Sequence, residues 1–139
     1  MAKNKTENTN LASEFFVASQ LFRLGYNVTI TLGHTKEIDL YVADSDGKVV
    51  TIDVKGLKNT TNWPVKFKQP KKNHYFVFVT YLNKFSELDI EPEVFVIPSV
   101  RMRKLIGQWA GNPDVTAVGY SRLKNSKYKN AWQLLFSKR

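Results

Sequence analysis

Three charged residues interrupt the apolar hairpin pattern EIDLYVADSDGKVVTIDVKG, residues 37–56: Asp39, Asp53 and Lys55. What they can do depends on which face of the hairpin they share. Asp44-Ser45-Asp46-Gly47 suits a type I turn followed by a left-handed glycine, a three-residue hairpin loop. Such a loop pairs Asp44 with Lys48, and then Val42 with Val50, Leu40 with Ile52 and Ile38 with Val54, all apolar. The other face pairs Ala43 with Val49, Tyr41 with Thr51 and Asp39 with Asp53, and Lys55 points the same way. Cross-strand partners lie about 4.5–5.5 Å apart at Cβ, where like charges repel. Two carboxylates that close need a cation or a shared proton. Lys55 offers one positive charge; a divalent cation offers two and takes carboxylates as hard oxygen ligands. The alternative is a solvated sheet edge whose acids are neutralised by lysines.

Other elements must hold this hairpin. Leu11, Phe15, Ala18 and Phe22 recur at helical spacing, which predicts a helix from Leu11 to Leu24 stopped by Gly25. Asn8 and Asn10 are its candidate N-caps, and residues 1–10 read as a flexible polar tail. Glu14 falls beside the apolar stripe, either a solvated flank residue or a carboxylate directed into a cleft. YNVTITL, 26–32, alternates as a strand, and GHTK turns the chain. After Gly56, LKNTTN reads as loop, WPVKF as a short edge strand and KQPKKN as a basic turn. Trp63, flanked by Val65 and Phe67, reads as core rather than as a platform for a base. HYFVFVTYL, 74–82, predicts a central strand covered on both faces, and VFVIP another strand. A helix is expected from Ser99 to about Trp109, ended by Gly111-Asn112-Pro113, and AWQLLF reads as a short helix or, alternatively, a terminal strand. The order predicts a single α/β domain over 11–139, a mixed β-sheet flanked by helices.

Composition narrows the chemistry. At 139 residues, 42% of them hydrophobic, the chain can bury one core. It has no cysteine and only His34 and His74, which excludes a thiolate site and leaves oxygen ligands for Mg²⁺, Mn²⁺ or Ca²⁺. No apolar run nears the roughly 18 residues of a membrane span, and the start is polar, so a cytoplasmic protein is expected. Net charge is −1 over residues 1–55 and +10 over 56–139. Lys66, Lys68, Lys71 and Lys72 fall in a stretch without acids. Such clustering attracts polyanions, nucleic acid first among them.

Asp39 followed by Asp53-Val54-Lys55 in the next strand, with Glu14 in the preceding helical SEFFVASQLFRLGY, resembles the PD-(D/E)XK nuclease superfamily. The resemblance covers residues 11–56 and continues loosely through HYFVFV. It implies a restriction-endonuclease-like fold, of which Holliday-junction resolvases are compact members. Two departures stand out: Ile38 takes the place of the motif's proline, and no long helix is expected after Lys55. By resemblance, Asp39, Asp53 and the Val54 carbonyl hold Mg²⁺ or Mn²⁺, Glu14 supports the ion, and Lys55 stabilises charge at the phosphorus. The implied activity is that of a metal-dependent endodeoxyribonuclease, with DNA as partner and a homodimer where both strands are cut. Two alternatives remain: a non-catalytic nucleic-acid-binding module on the same fold, and a domain whose basic surface meets an acidic protein.

Overall fold

Runs of β-branched and aromatic residues in the middle of the chain build a five-stranded mixed sheet, and a helix covers one of its faces. The computed structural model describes residues 5–32, 38–109 and 112–136. Helix α1 (Lys5–Arg23) leads into β1 (Asn27–Ile30), β2 (Leu40–Ala43) and β3 (Val49–Leu57), an antiparallel meander. After β4 (Asn62–Pro64), strand β5 (His74–Thr80) returns parallel to β3, and β6 (Glu93–Pro98) pairs antiparallel with β5. The sheet order is β1-β2-β3-β5-β6. A 3-10 helix, Ser99–Lys104, leads to β7 (Ile106–Trp109) and β8 (Asn112–Gly119), which with β4 form a second sheet in the order β4-β8-β7. Helix α2 (Tyr120–Leu123) and a 3-10 turn, Trp132–Leu134, end the fold. Among the described residues, no helix is long and apolar enough to cross a membrane.

The hairpin register agrees with the turn chemistry. Asp44 N–H donates to the Lys48 carbonyl at 3.0 Å, Gly47 has φ +81°, and Leu40, Tyr41, Val42 and Ala43 face Ile52, Thr51, Val50 and Val49. The GHTK turn lies outside the described residues.

Alternation along β5 and β6 feeds two cores, one on each face of the sheet. Tyr75, Val77, Val79, Val94 and Val96 join Val17, Ala18 and Leu21 of α1 over Leu40, Val42, Val50, Ile52 and Val54. Phe76, Phe78, Phe95 and Ile97 face the second sheet and pack with Trp63, Val118, Met102 and Leu123. Every residue of β5 is buried, as its composition predicts.

The structure corrects the expected helices. Helix α1 starts at Lys5, so most of the stretch expected as a polar tail is helical. The stripe it buries is Thr9, Ser13, Glu14, Val17, Ala18 and Leu21, whereas Phe15 and Phe22 are half exposed. Gly56 supplies the reason. A Cβ there would come within 2.9 Å of the Thr9 carbonyl and closer still to Ser13 Oγ, so the helix lies against bare backbone. Small polar residues permit that approach, and two phenylalanines would prevent it. The expected helix after Ser99 ends at Lys104, and Ile106–Trp109 forms a strand instead. Gly107 costs a helix about 1 kcal/mol, and β8 offers Ile106 and Gly107 the partners Val118 and Ala117.

Candidate active site

Asp39 stands where the β2 ladder gives out. Its N–H still donates to the Ile52 carbonyl at 3.1 Å, and its Oδ2 accepts the Val54 N–H at 2.7 Å. The carboxylate thus replaces a rung of the sheet, buried at 7% exposure. The N–H and C=O of a strand residue leave the backbone on the same side, so the Val54 carbonyl also faces the Asp39 end.

Asp53 and Lys55 share the opposite face of β3 from Ile52 and Val54, 3.6 Å apart between Nζ and Oδ1. Burial pushes the Asp53 carboxyl up to about 7 against the pull of Lys55, and a hydrogen bond to Asp39 together with that group's charge adds to the rise. Without a cation, Asp53 therefore keeps its proton well above the usual carboxylate range. The second sheet covers the β5 and β6 half of this face. Over β1–β3 the face is open, with Tyr41 and Val49 exposed and Thr51, Asp53 and Lys55 half-buried.

His74 belongs to the same neighbourhood. The parallel register sets it opposite Thr51, and Thr51 Oγ1 and His74 Nδ1 are 2.7 Å apart. Burial, reinforced by Lys71, lowers the ring to about 4 while Asp39 opposes the shift, so the imidazole is neutral at pH 7. Sequence reasoning used His74 only to dismiss a histidine-rich site, because nothing local announces a parallel β3–β5 pair.

Glu14 is buried at 4% exposure on the sheet-facing side of α1. No three acids or histidines among the described residues come together as one cation cluster. Asp39, Asp53 and the Val54 carbonyl offer oxygen donors where the β2–β3 ladder ends, the donor type hard cations take. Lys66, Lys68, Lys71 and Lys72 are all exposed on the connection that enters β5. That connection ends at the site, where the Asn73 carbonyl accepts the Thr51 N–H at 3.0 Å. Trp63 is core: fully buried, it donates from Nε1 to the Val79 carbonyl at 3.1 Å.

The fold has a counterpart among solved structures. The bacterial homing endonuclease I-Ssp6803I matches with a TM-score of 0.59 over 94% of this chain and 92% of that one, at 17% identity. The fold is nuclease-like. No protein-family model and no curated protein sequence matches the chain. The long crossover helix of the PD-(D/E)XK pattern is absent between β3 and β5: residues 58–73 make the parallel return through β4, which lies in the second sheet.

Proposed function

We propose that this protein is a divalent-cation-dependent endodeoxyribonuclease of the PD-(D/E)XK type. One observation carries the reading: Asp53 and Lys55 stand together on the open half of a nuclease-like sheet, with the Asp39 carboxylate bonded to the intervening Val54 N–H. A surface that only bound nucleic acid would gain nothing from a buried acid pair, which repels phosphate. The structural neighbour is a homing endonuclease, and a phosphodiester substrate is carried over from it.

Asp39, Asp53 and the Val54 carbonyl would hold Mg²⁺ or Mn²⁺ in this reading; a supporting role for Glu14 rests on the sequence resemblance alone, since α1 packs on the Ile52 and Val54 face of the sheet. A cation held by these groups would supply Lewis acidity toward the phosphate and toward water. Asp53 would have to give up its proton for both carboxylates to serve as ligands. Lys55, a compact ammonium at the mouth of the site, stabilises the charge that grows on the phosphoryl oxygens. Lys66, Lys68, Lys71 and Lys72 hold the backbone. A single site cuts one strand at a time, so double-strand cleavage calls for a homodimer.

The test is incubation with supercoiled plasmid, single-stranded DNA and a four-way junction, in Mg²⁺ or Mn²⁺ and in EDTA. Cleavage that needs the cation and disappears in Asp39→Asn and Asp53→Asn supports the reading; linear plasmid as first product supports the dimer. Binding without cleavage of any substrate assigns the protein to the binding modules.

A further inference from the structure

Three segments far apart in sequence are joined by contacts with one another, and all are basic. The connection 66–72 is joined to the 3-10 helix at Ser99, whose buried Oγ accepts the Lys71 N–H at 3.0 Å. Arg103 of that helix lies over the Phe67 ring, 5.9 Å from its centroid. Arg122 of α2 reaches back with Nη1 to the Lys104 carbonyl at 3.4 Å. Met102 is fully buried between Arg101 and Arg103 and pins the helix so that both arginines and Lys104 stay exposed. Leu123 does the same between Arg122 and Lys124. None of these cations forms an ion pair with a described acid; the nearby Glu93 is taken by Lys129 at 2.8 Å and by Tyr120.

We infer that this belt, from the 66–72 connection across Arg101, Arg103 and Lys104 to Arg122 and Lys124, is a track for the phosphate backbone of a nucleic-acid duplex. It rests on the proposed nuclease reading for its purpose, though not for its chemistry. The track has a definite end. Its first segment runs into Asn73, bonded to Thr51 two residues before Asp53, so a duplex on the belt reaches the carboxylate pair at one end. The charges stand on short, anchored elements, not on one flexible tail, which suits a stiff partner with phosphates at fixed spacing.

A single strand fits less well. Sequence-tolerant binding of single strands combines basic grooves with aromatic faces on which bases stack. Among the described residues of the belt no aromatic face is exposed: Phe67 is half-buried under Arg103, and Trp63 is fully buried. An acidic protein would also be attracted, and the test includes it.

The experiment measures binding of the full chain to fluorescent duplex DNA by anisotropy across a salt series in EDTA, where no cleavage competes. The triple variant R101A/R103A/K104A should lower the slope of log K against log salt by about 2.7, at about 0.9 for each phosphate no longer neutralised. The control double R23A/K84A removes charge at the end of α1 and in the loop beyond the C-terminal end of β5, and should leave the slope within about 0.9 of wild type. Duplex should bind at least tenfold more tightly than a single strand of the same length. Equal losses per charge removed in the two variants would mean attraction by net charge alone and would overturn the track. Single-strand binding as tight as duplex, or preference for polyglutamate at equal charge, would also overturn it. Ser99→Ala keeps every charge and frees Lys71 from the helix; it should weaken duplex binding several-fold with the slope unchanged, and unaltered affinity would count against a built track. Failure of the track alongside intact cleavage would leave the nuclease reading standing, and a confirmed track without cleavage would remove the enzyme and keep the belt.

Discussion

At Asp53, burial and the Asp39 hydrogen bond hold a proton up to about pH 7, whereas the unfolded chain releases it near 3.8. The folded state therefore binds more protons between those values, and the metal-free protein loses stability from this group as pH rises from about 4 to 7. His74 acts in the opposite sense over nearly the same range: lowered from 6.5 to about 4, it costs stability as pH falls. Asp53→Asn removes the first effect and keeps the second. Its melting temperature relative to wild type, measured in EDTA, should rise between pH 4 and 7 and level off above; a difference independent of pH would disprove the raised Asp53 carboxyl. The same proton competes with the cation, so Mg²⁺ affinity by calorimetry should rise about tenfold per pH unit below 7 and flatten beyond it. Lys55 tests a different link. Lys55→Met keeps the stem and deletes the ammonium, and losing one such transition-state group costs about 10²–10³ in rate. DNA binding should stay within a few-fold of wild type while cleavage slows at least a hundredfold. Parallel losses in both would reduce Lys55 to a phosphate contact.

Between α1 and β3 the decisive feature is the missing side chain at Gly56. A methyl group there meets Ser13 Oγ and the Thr9 carbonyl, a side chain and a backbone that cannot both withdraw without moving the helix. Overpacking of this kind costs about 1–3 kcal/mol. Gly56→Ala should lower stability by that amount in urea titration, and because Lys55 precedes it, should also slow cleavage. Full stability would mean that α1 does not lie against bare strand. Phe15 and Phe22 give the contrast. Both are half exposed, so Phe15→Ser and Phe22→Ser should each change stability by about 0.5 kcal/mol or less. The apolar spacing that makes these residues look like core is real, but it belongs to the outer side of the helix.

Across the whole molecule, two cores share one sheet. Neighbouring residues of β5 and β6 alternate between them, so neither core can melt while the strands remain ordered. Unfolding should accordingly be one transition by calorimetry. Leu21→Ala on the helix side and Met102→Ala on the second-sheet side, both at fully buried sites, should each lower that same transition by about 2–5 kcal/mol. Two separable transitions would divide the protein into independent units.

Local chemistry determined the hairpin, because a turn of Asp-Ser-Asp-Gly permits few registers and an apolar face rejects a one-residue slip. From that register alone, Asp39, Asp53 and Lys55 come to one face, and β5 declares itself central by burying every side chain. Long-range pairing decided the rest. Nothing within Ile106–Trp109 outweighs its helical look until β7 meets β8, which in turn meets β4. His74 reaches Thr51 only through a parallel strand pair closed across residues 58–73, and the belt forms only when Ser99, Phe67 and Lys104 bring three segments together. Sequence spacing reports neighbours along one strand or helix; contacts between distant elements depend on which surfaces are left to bury, and that is settled only when the chain packs.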